Sequence, residues 1–333
     1  MGNLRQNSSD QRVVWDAVKR RALASLTGPQ RQRVLWSWRQ RYSEDQPRDW
    51  HGRWEGSGGT EGTSPEQPAP KASDLLDKTP VDINEVINSV PGSREMIAEA
   101  RDKASRETHT DAPVSQGGHK MPDGRYTPER QALHNAMIQK ILSPEAVARA
   151  RPAAGERPTL SILGGRGGSG KSWLTGKGGV VDANNAILIN NDDVNAAMPE
   201  FKGYNAAAVH EESSHITDMA EAAARGMGLN VILDATMRTP SSALKKIQAY
   251  KDAGYKVNGH YMYASPKTAA TRALQRFVNG QKKTGQGRFV PPEYSASSVT
   301  NEEAFDRARP LMDEWSIHSN EGASPVLYAR SKK

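Results

Sequence analysis

Gly165-Arg166-Gly167-Gly168-Ser169-Gly170-Lys171-Ser172 fits the pattern G-x-x-x-x-G-K-[ST]. Glycines at this spacing let the backbone bend until consecutive N–H groups point inward at phosphate oxygens. The N-terminus of a following helix adds its positive dipole end. In that arrangement Lys171 reaches the outer phosphates and the Ser172 hydroxyl belongs on Mg2+. The motif needs an apolar strand before it and a helix after it; without them it is only a flexible turn. Leu160-Ser161-Ile162-Leu163 supplies the first and Lys171-Ser172-Trp173-Leu174 opens the second. That helix is expected to be short, because Gly176-Lys177-Gly178-Gly179 follows.

Two acidic groups stand where other apolar runs end. Ile187-Leu188-Ile189 leads into Asn190-Asn191-Asp192-Asp193, and Val231-Ile232-Leu233 leads into Asp234. In an open parallel sheet, ligands bind beyond the C-terminal strand ends. Asp192, Asp193 and Asp234 should then face the same crevice as the Gly-rich loop. A carboxylate there can hold Mg2+ through water or accept the proton of an attacking hydroxyl. The competing reading makes one of Asp192 and Asp193 a helix N-cap, and Asp234 the cap of the turn at Thr236.

A third group is cationic. Arg272 and Arg276 lie four apart on one helical stretch, and Arg288 follows in Gly285-Gln286-Gly287-Arg288-Phe289-Val290-Pro291. Phosphoryl transfer needs cations around the migrating group, and arginine presents a fixed fork of donors; exposed helix arginines can equally be solvated. His210-Glu211-Glu212-Ser213-Ser214-His215 invites a metal-site reading. Histidines five apart do not share a helix face well, so Glu211 or Glu212 is expected to face the crevice while Ile216, Met219, Ala220 and Ala223 pack on the sheet.

These groups need a frame. Strand-like runs at 159–163, 186–189, 230–233, 256–263 and 325–329 alternate with helical stretches at 171–176, 205–226, 240–253, 266–279 and 301–316. The alternation predicts an α/β fold, a P-loop NTPase-type parallel sheet with helices on both faces. Another helix begins at Thr127-Pro128-Glu129, a cap followed by proline, and carries Leu133, Met137, Ile138, Ile141 and Leu142 on one face. Residues 44–124 read as linker with short helical segments around Val81–Ile87 and Met96–Ala100. Residues 1–43 read as a basic, Trp-rich helical hairpin broken at Thr27-Gly28-Pro29. The expected division is 1–43, 44–124 and a phosphate-binding domain at 125–333.

Composition narrows the classes. The 333 residues contain no cysteine, so disulfides, zinc–cysteine sites and cysteine nucleophiles are excluded, which fits a reducing cytoplasm. No apolar run approaches the ~18 residues of a membrane-spanning helix, and the polar first ten residues predict no secretory signal. Net charge is +7, and residues 1–60 hold 11 Lys or Arg against 6 Asp or Glu with five of the seven Trp. Such an arm suits a nucleic acid or an acidic protein; a small helical interaction module is the plainer reading. Pro47-Arg48-Asp49-Trp50-His51-Gly52-Arg53-Trp54, followed by Gly56 and Gly58-Gly59, resembles a short peptide of tailed-phage head-associated proteins. It implies a phage or prophage origin and a phage structural partner for residues 1–60.

Taken together, the P-loop, 189–199, 210–214, 231–238, 254–257 and Arg276 with Gly287-Arg288-Phe289-Val290-Pro291 resemble the zeta toxin family of P-loop kinases. The resemblance covers residues 125–333 and leaves 1–124 outside. It implies a kinase that phosphorylates a small molecule from ATP; the best-known members act on the 3′-hydroxyl of the UDP-N-acetylglucosamine sugar. Carried over, residues 165–172 bind ATP, and Ser172 with Asp234 hold Mg2+. Asp192, seven residues before Pro199, is the general base, and Arg276 and Arg288 clamp the transferring phosphate. Asp193, Glu211, Thr236 and Arg238 line the acceptor.

This chain departs from the family at Asn190, where a first carboxylate is usual. Asp193 follows directly and can serve as base instead. Asp234 is one methylene shorter than the frequent Glu. Pro292-Glu293-Tyr294-Ser295 matches no substrate-specific pattern. Members are commonly held off by a small helical antitoxin over the nucleotide site, so an antitoxin, or the helices before residue 124 acting in cis, is the expected regulatory partner. The expected location is the bacterial cytoplasm, or a virion if the phage peptide holds. Other acceptors, a nucleoside or a polynucleotide end, fit the same frame. So does a phage-associated interaction protein that carries a nucleotide-binding domain.

Overall fold

The computed structural model describes residues 69–297 and 300–332. The Trp-rich hairpin and the phage-like peptide lie outside the described residues. The chain from Pro70 onward forms one compact unit. Its first elements are α1 (Ile83–Asn88), α2 (Ser93–Ala104), α3 (Pro128–Ile141) and α4 (Pro144–Arg149). Strand β1 (Thr159–Gly164), the short α5 (Ser172–Thr175), β2 (Ile187–Asn190) and α6 (Asn191–Ala197) follow. Then come α7 (Ala206–Gly226), β3 (Val231–Asp234), α8 (Pro240–Asp252), β4 (Lys256–Tyr263) and α9 (Pro266–Thr284). The described chain closes with α10 (Pro292–Ala296), α11 (Asn301–Ala308), β5 (Glu314–Ser319) and β6 (Val326–Arg330).

The six strands form one sheet in the order β2-β3-β1-β4-β5-β6. All neighbours are parallel except the edge strand β6, which returns antiparallel along β5. Successive strand residues face opposite sides. Leu160 and Ile162 therefore join one buried cluster with Val231, Ile247, Tyr250, Phe305 and Ile317. Leu163 joins another with Leu174, Val181, Ile232 and Met262. The register pairs both Leu163 and Asn190 with Asp234, so β1, β2 and β3 end at one level and deliver their following loops to one crevice.

Two regions differ from the sequence reading. A single helix was expected through 301–316, but α11 stops at Ala308, a tight turn spans Arg309–Leu311, and 314–319 is strand β5. Pro310 has no N–H to continue a helix and its ring obstructs the preceding turn. Ile317, fully buried, then docks the strand in the core. The second difference is the expected linker: its residues 70–124 belong to the compact unit. Val86, Val90, Ile97 and Ala100 pack on Ala270, Leu274, Phe277 and Val278 of α9 and on Phe289. The amides of Ala72 and Ser73 donate to Asp306 of α11 at 2.8 and 2.9 Å. The segment is poor in apolar residues, but the helical spacing of Val86, Val90, Ile97 and Ala100 puts them on one docked face. Among the described residues no helix is long and apolar enough to cross a membrane.

Candidate active site

The Gly-rich loop bridges the end of β1 and the start of α5. Gly165, Gly168 and Gly170 take φ of 137, 92 and 90°, a region closed to other residues without strain. The Ser169 amide donates to the Arg166 carbonyl at 3.1 Å and the Trp173 amide to Gly170 at 3.0 Å, which folds the loop back on the helix start. Lys171 Nζ donates to the carbonyls of Gly165 at 2.9 Å and Arg166 at 3.3 Å and lies 3.6 Å from Asp234 Oδ1. Ser169 is fully buried and its Oγ has no partner among the described residues. An unpartnered buried hydroxyl and a lysine curled over its own loop fit a phosphate cradle.

Of the acidic groups, Asp234 meets this loop through Lys171, and Asp192 and Asp193 follow the neighbouring strand β2. Asn190 caps α6 by accepting from the Asp192 amide at 2.8 Å, so neither Asp192 nor Asp193 is the cap; both stand in the first turn. Asn190 Nδ2 also reaches Asp234 Oδ2 at 3.5 Å. Asp193 is exposed. Partial desolvation, and then the negative charge of Asp234, hold its carboxyl above the usual range.

Arg288 reaches the same place from a distant segment. Helix α9 ends on Gly285, which adopts the left-handed cap. Gly287 then runs against the helix: a Cβ on it would sit 2.1 Å from the Phe277 carbonyl. The Phe289 amide donates to Gly203 at 3.0 Å. This close return aims Arg288 at Asp192, whose Oδ2 accepts from its Nη1. Arg276 is exposed on α9. Burial holds Lys171 below its usual value, and the like charges of Arg276 and Arg288 add to that, against the pull of Asp234.

Other expected residues are placed differently. Arg272 donates to the Asn320 carbonyl at 2.8 Å and is tied to the frame. The Arg166 side chain leaves the loop altogether: it is buried against Glu302 of α11, donating to both carboxylate oxygens and to the Ala264 carbonyl. Only its backbone lines the cradle. Glu302 also accepts from Tyr261 at 2.8 Å. No local signal marks Glu302 as a partner, except that a buried arginine requires a carboxylate somewhere.

Of the two glutamates weighed for the crevice, Glu212 is excluded. It is fully buried and accepts from Arg130 Nε at 2.5 Å and Nη2 at 2.9 Å and from His134 Nε2 at 2.5 Å. Burial raises its carboxyl, but these hydrogen bonds outweigh that and hold it at about 2. The i, i+4 pair Arg130 and His134 on α3 was the available signal. Glu211 stays exposed on α7. The Thr236 carbonyl accepts from the Gly165 amide at 3.4 Å and from Asn301 at 2.5 Å. The Arg238 guanidinium stacks 4.2 Å over the Tyr294 ring.

Against this geometry the comparisons can be set. No curated protein matches the chain. Among solved structures, the AvrRxo1-ORF1:AvrRxo1-ORF2 complex with sulphate ions is similar at 22% identity and TM-score 0.51, over 63% of this chain and 69% of that one. The AvrRxo1-ORF1:-ORF2 structure with ATP is similar at 22% identity and TM-score 0.50, with the same coverage. A structure of the PezAT toxin–antitoxin system of Streptococcus pneumoniae follows at 15% identity and TM-score 0.48, over 63% of this chain and 84% of that one. At these identities the likeness is one of fold. The zeta toxin family model matches residues 144–332, a range that takes in the Gly-rich loop, Asp192, Asp193, Asp234, Arg276 and Arg288. The chain belongs to the zeta toxin family and is a P-loop kinase.

Proposed function

We propose that the protein transfers the γ-phosphoryl group of ATP to a hydroxyl of a small molecule, with a nucleotide sugar such as UDP-N-acetylglucosamine as acceptor. The observation that carries this reading is that Lys171 of the Gly-rich loop lies 3.6 Å from Asp234 at the end of β3, while Arg288 reaches Asp192 in the helix that follows the neighbouring strand β2. The loop amides bind the phosphates. Lys171, Arg276 and Arg288 neutralise charge on the migrating group. Asp192 takes the acceptor's proton, and its contact with Arg288 keeps the base beside the clamp. Asp193, Glu211, Thr236 and Arg238 line the acceptor side.

Among the described residues no group of three His, Cys, Asp or Glu could hold a metal. Mg2+ in kinases uses one or two protein ligands with substrate phosphates and water. Ser172 and Asp234 would hold the ion, which would supply positive charge to the phosphate oxygens.

The test is product analysis by mass spectrometry. The full chain is incubated with Mg·ATP and a panel of UDP-sugars, nucleosides and oligonucleotide ends, with Lys171→Ala beside it. One added phosphate on UDP-N-acetylglucosamine, absent with the variant, supports the acceptor. A product on another acceptor replaces it and keeps the kinase. The basic charge of residues 1–60 favours a polynucleotide end as the second reading. Its mark is oligonucleotide binding that weakens steeply with salt and is lost with that arm.

We further propose a separate antitoxin as the controlling partner. Helices α1 and α2 pack on α9 as part of the fold, so cis control falls to the residues before 70. Unchanged ATP affinity after their deletion would leave the antitoxin alone.

A further inference from the structure

Asn320, just past the end of β5, belongs to none of the motifs, yet it touches three parts of the site frame. Its side-chain Nδ2 donates to the Ser169 carbonyl in the Gly-rich loop at 2.8 Å. Its own carbonyl accepts from Arg272 Nη1 on α9 at 2.8 Å. Its amide donates to the Tyr263 carbonyl at the end of β4 at 2.9 Å. The next residue adds a tie to the same helix: Glu321 accepts from the Ser265 amide at 2.5 Å and from Thr268 Oγ1 at 3.0 Å at the start of α9.

We infer that Asn320 is a positioning residue for phosphate binding, setting the Gly-rich loop and the arginine helix in register. The inference rests on the nucleotide site described above. In a trans peptide the C=O and N–H point opposite ways, and no described peptide bond is cis. By holding the Ser169 carbonyl outward, Asn320 turns the Gly170 N–H to the other side of that peptide, the side that faces phosphate in a loop of this kind. The contact is close on both sides: a Cβ on Gly170 would meet Asn320 Nδ2 at 2.5 Å. Through its carbonyl the same residue holds Arg272, one helical turn before Arg276. The loop that binds the inner phosphates and the helix that presents an arginine to the outer one are thus referred to a single side chain.

The test measures binding of Mg·ATP and Mg·ADP to the full chain by calorimetry, with thermal melting alongside. Asn320→Ala should weaken both nucleotides about fivefold to tenfold, the scale of one well-placed hydrogen bond, while melting stays close to wild type. Arg272→Ala should weaken Mg·ATP more than Mg·ADP, because it acts through the helix that carries Arg276. Unchanged affinity for both nucleotides in Asn320→Ala, whether or not melting falls, would overturn the proposal and leave Asn320 a strut. If Asn320→Ala does not fold, the isosteric Asn320→Asp makes the same comparison: it loses the donor and must lose affinity. Failure of the wild type to bind either nucleotide would overturn the nucleotide site itself, an outcome distinct from equal binding by wild type and variant.

Discussion

On the phosphate side of the crevice nearly every group is tied to the frame. Arg166 is buried against Glu302, Lys171 donates to two loop carbonyls, the Ser169 carbonyl is held by Asn320, and Gly287 lies against the backbone of α9. Around the proposed acceptor site the groups stand nearly free. Asp193 and Glu211 are exposed, and Arg238 rests on a tyrosine that is itself 51% exposed. The contrast follows from the ligands. Triphosphate is the same wherever ATP is used, so its binding groups can be preorganised once and buried, where fixed dipoles act most strongly. An acceptor differs between kinases of one fold, and half-solvated side chains at strand ends can change without cost to the core.

The largest expected effect separates the two candidate bases. Asp192→Asn should lower kcat by about 10²–10⁴-fold, the usual contribution of a general base, whereas Asp193→Asn should cost less than about tenfold. Steady-state rates on the acceptor found by mass spectrometry decide it. Were Asp193 the base, activity would fall with acid through a midpoint above the ordinary carboxylate range, because its carboxyl is held high.

Next is the buried tie behind the loop. Glu302→Gln leaves Arg166 without its counter-charge, and breaking a buried pair costs about 3–5 kcal/mol. Denaturant unfolding should show a large loss of stability. A small loss would mean that the phosphate side is less rigidly held than its contacts imply.

Ile97→Ala probes the support behind α9. Ile97 is 3% exposed in the cluster that docks α2 on that helix, and such a truncation costs about 2–5 kcal/mol. No change in unfolding would return residues 83–104 to the status of linker.

The sheet beneath the site also predicts a pH dependence. Burial, then the neighbouring His318, hold His260 at about 4 against an ordinary 6.5, with Ser316 Oγ 2.8 Å from its Nδ1. The unfolded chain therefore binds the extra proton first. This contribution is complete above pH 6.5 and is lost as pH falls toward 4. His260→Gln should flatten the acid side of the stability curve over that interval.

The smallest stability effect belongs to the acceptor rim. Tyr294→Ala should change stability by no more than about 0.5 kcal/mol while raising the acceptor KM and leaving the ATP KM in place. A rise in the ATP KM instead would erase the division between the two sides.

What was legible from sequence was local. A phosphate loop is one continuous stretch of backbone, so its glycines, Lys171 and Ser172 could be read directly. Asp192 and Asp234 could be placed because an apolar run that ends in an acid marks a strand end, and a parallel sheet sends such ends to one edge. The strand at 256–263 was likewise found by its apolar pattern. Elements that rely on a partner were misread. The strand at 314–319 was taken for the tail of a helix, and the helices near 81–87 and 96–100, though read as helical, were placed in a linker, because neither region buries enough surface by itself to declare its packing. The ties that stiffen the site were out of reach for the same reason. Arg166 meets Glu302 across 136 residues, Arg130 meets Glu212 across 82, and Asn320 meets Ser169 across 151. A side chain's type tells what it can bind, but a buried charge or an outward carbonyl finds its partner only once the chain has closed around it. The sequence by itself therefore determined the phosphate loop and the alternation of strands and helices that builds a parallel sheet. The tertiary structure alone decided that Arg288 meets Asp192 while Arg272 is tied to Asn320, that Glu212 is buried, and what holds the loop in shape.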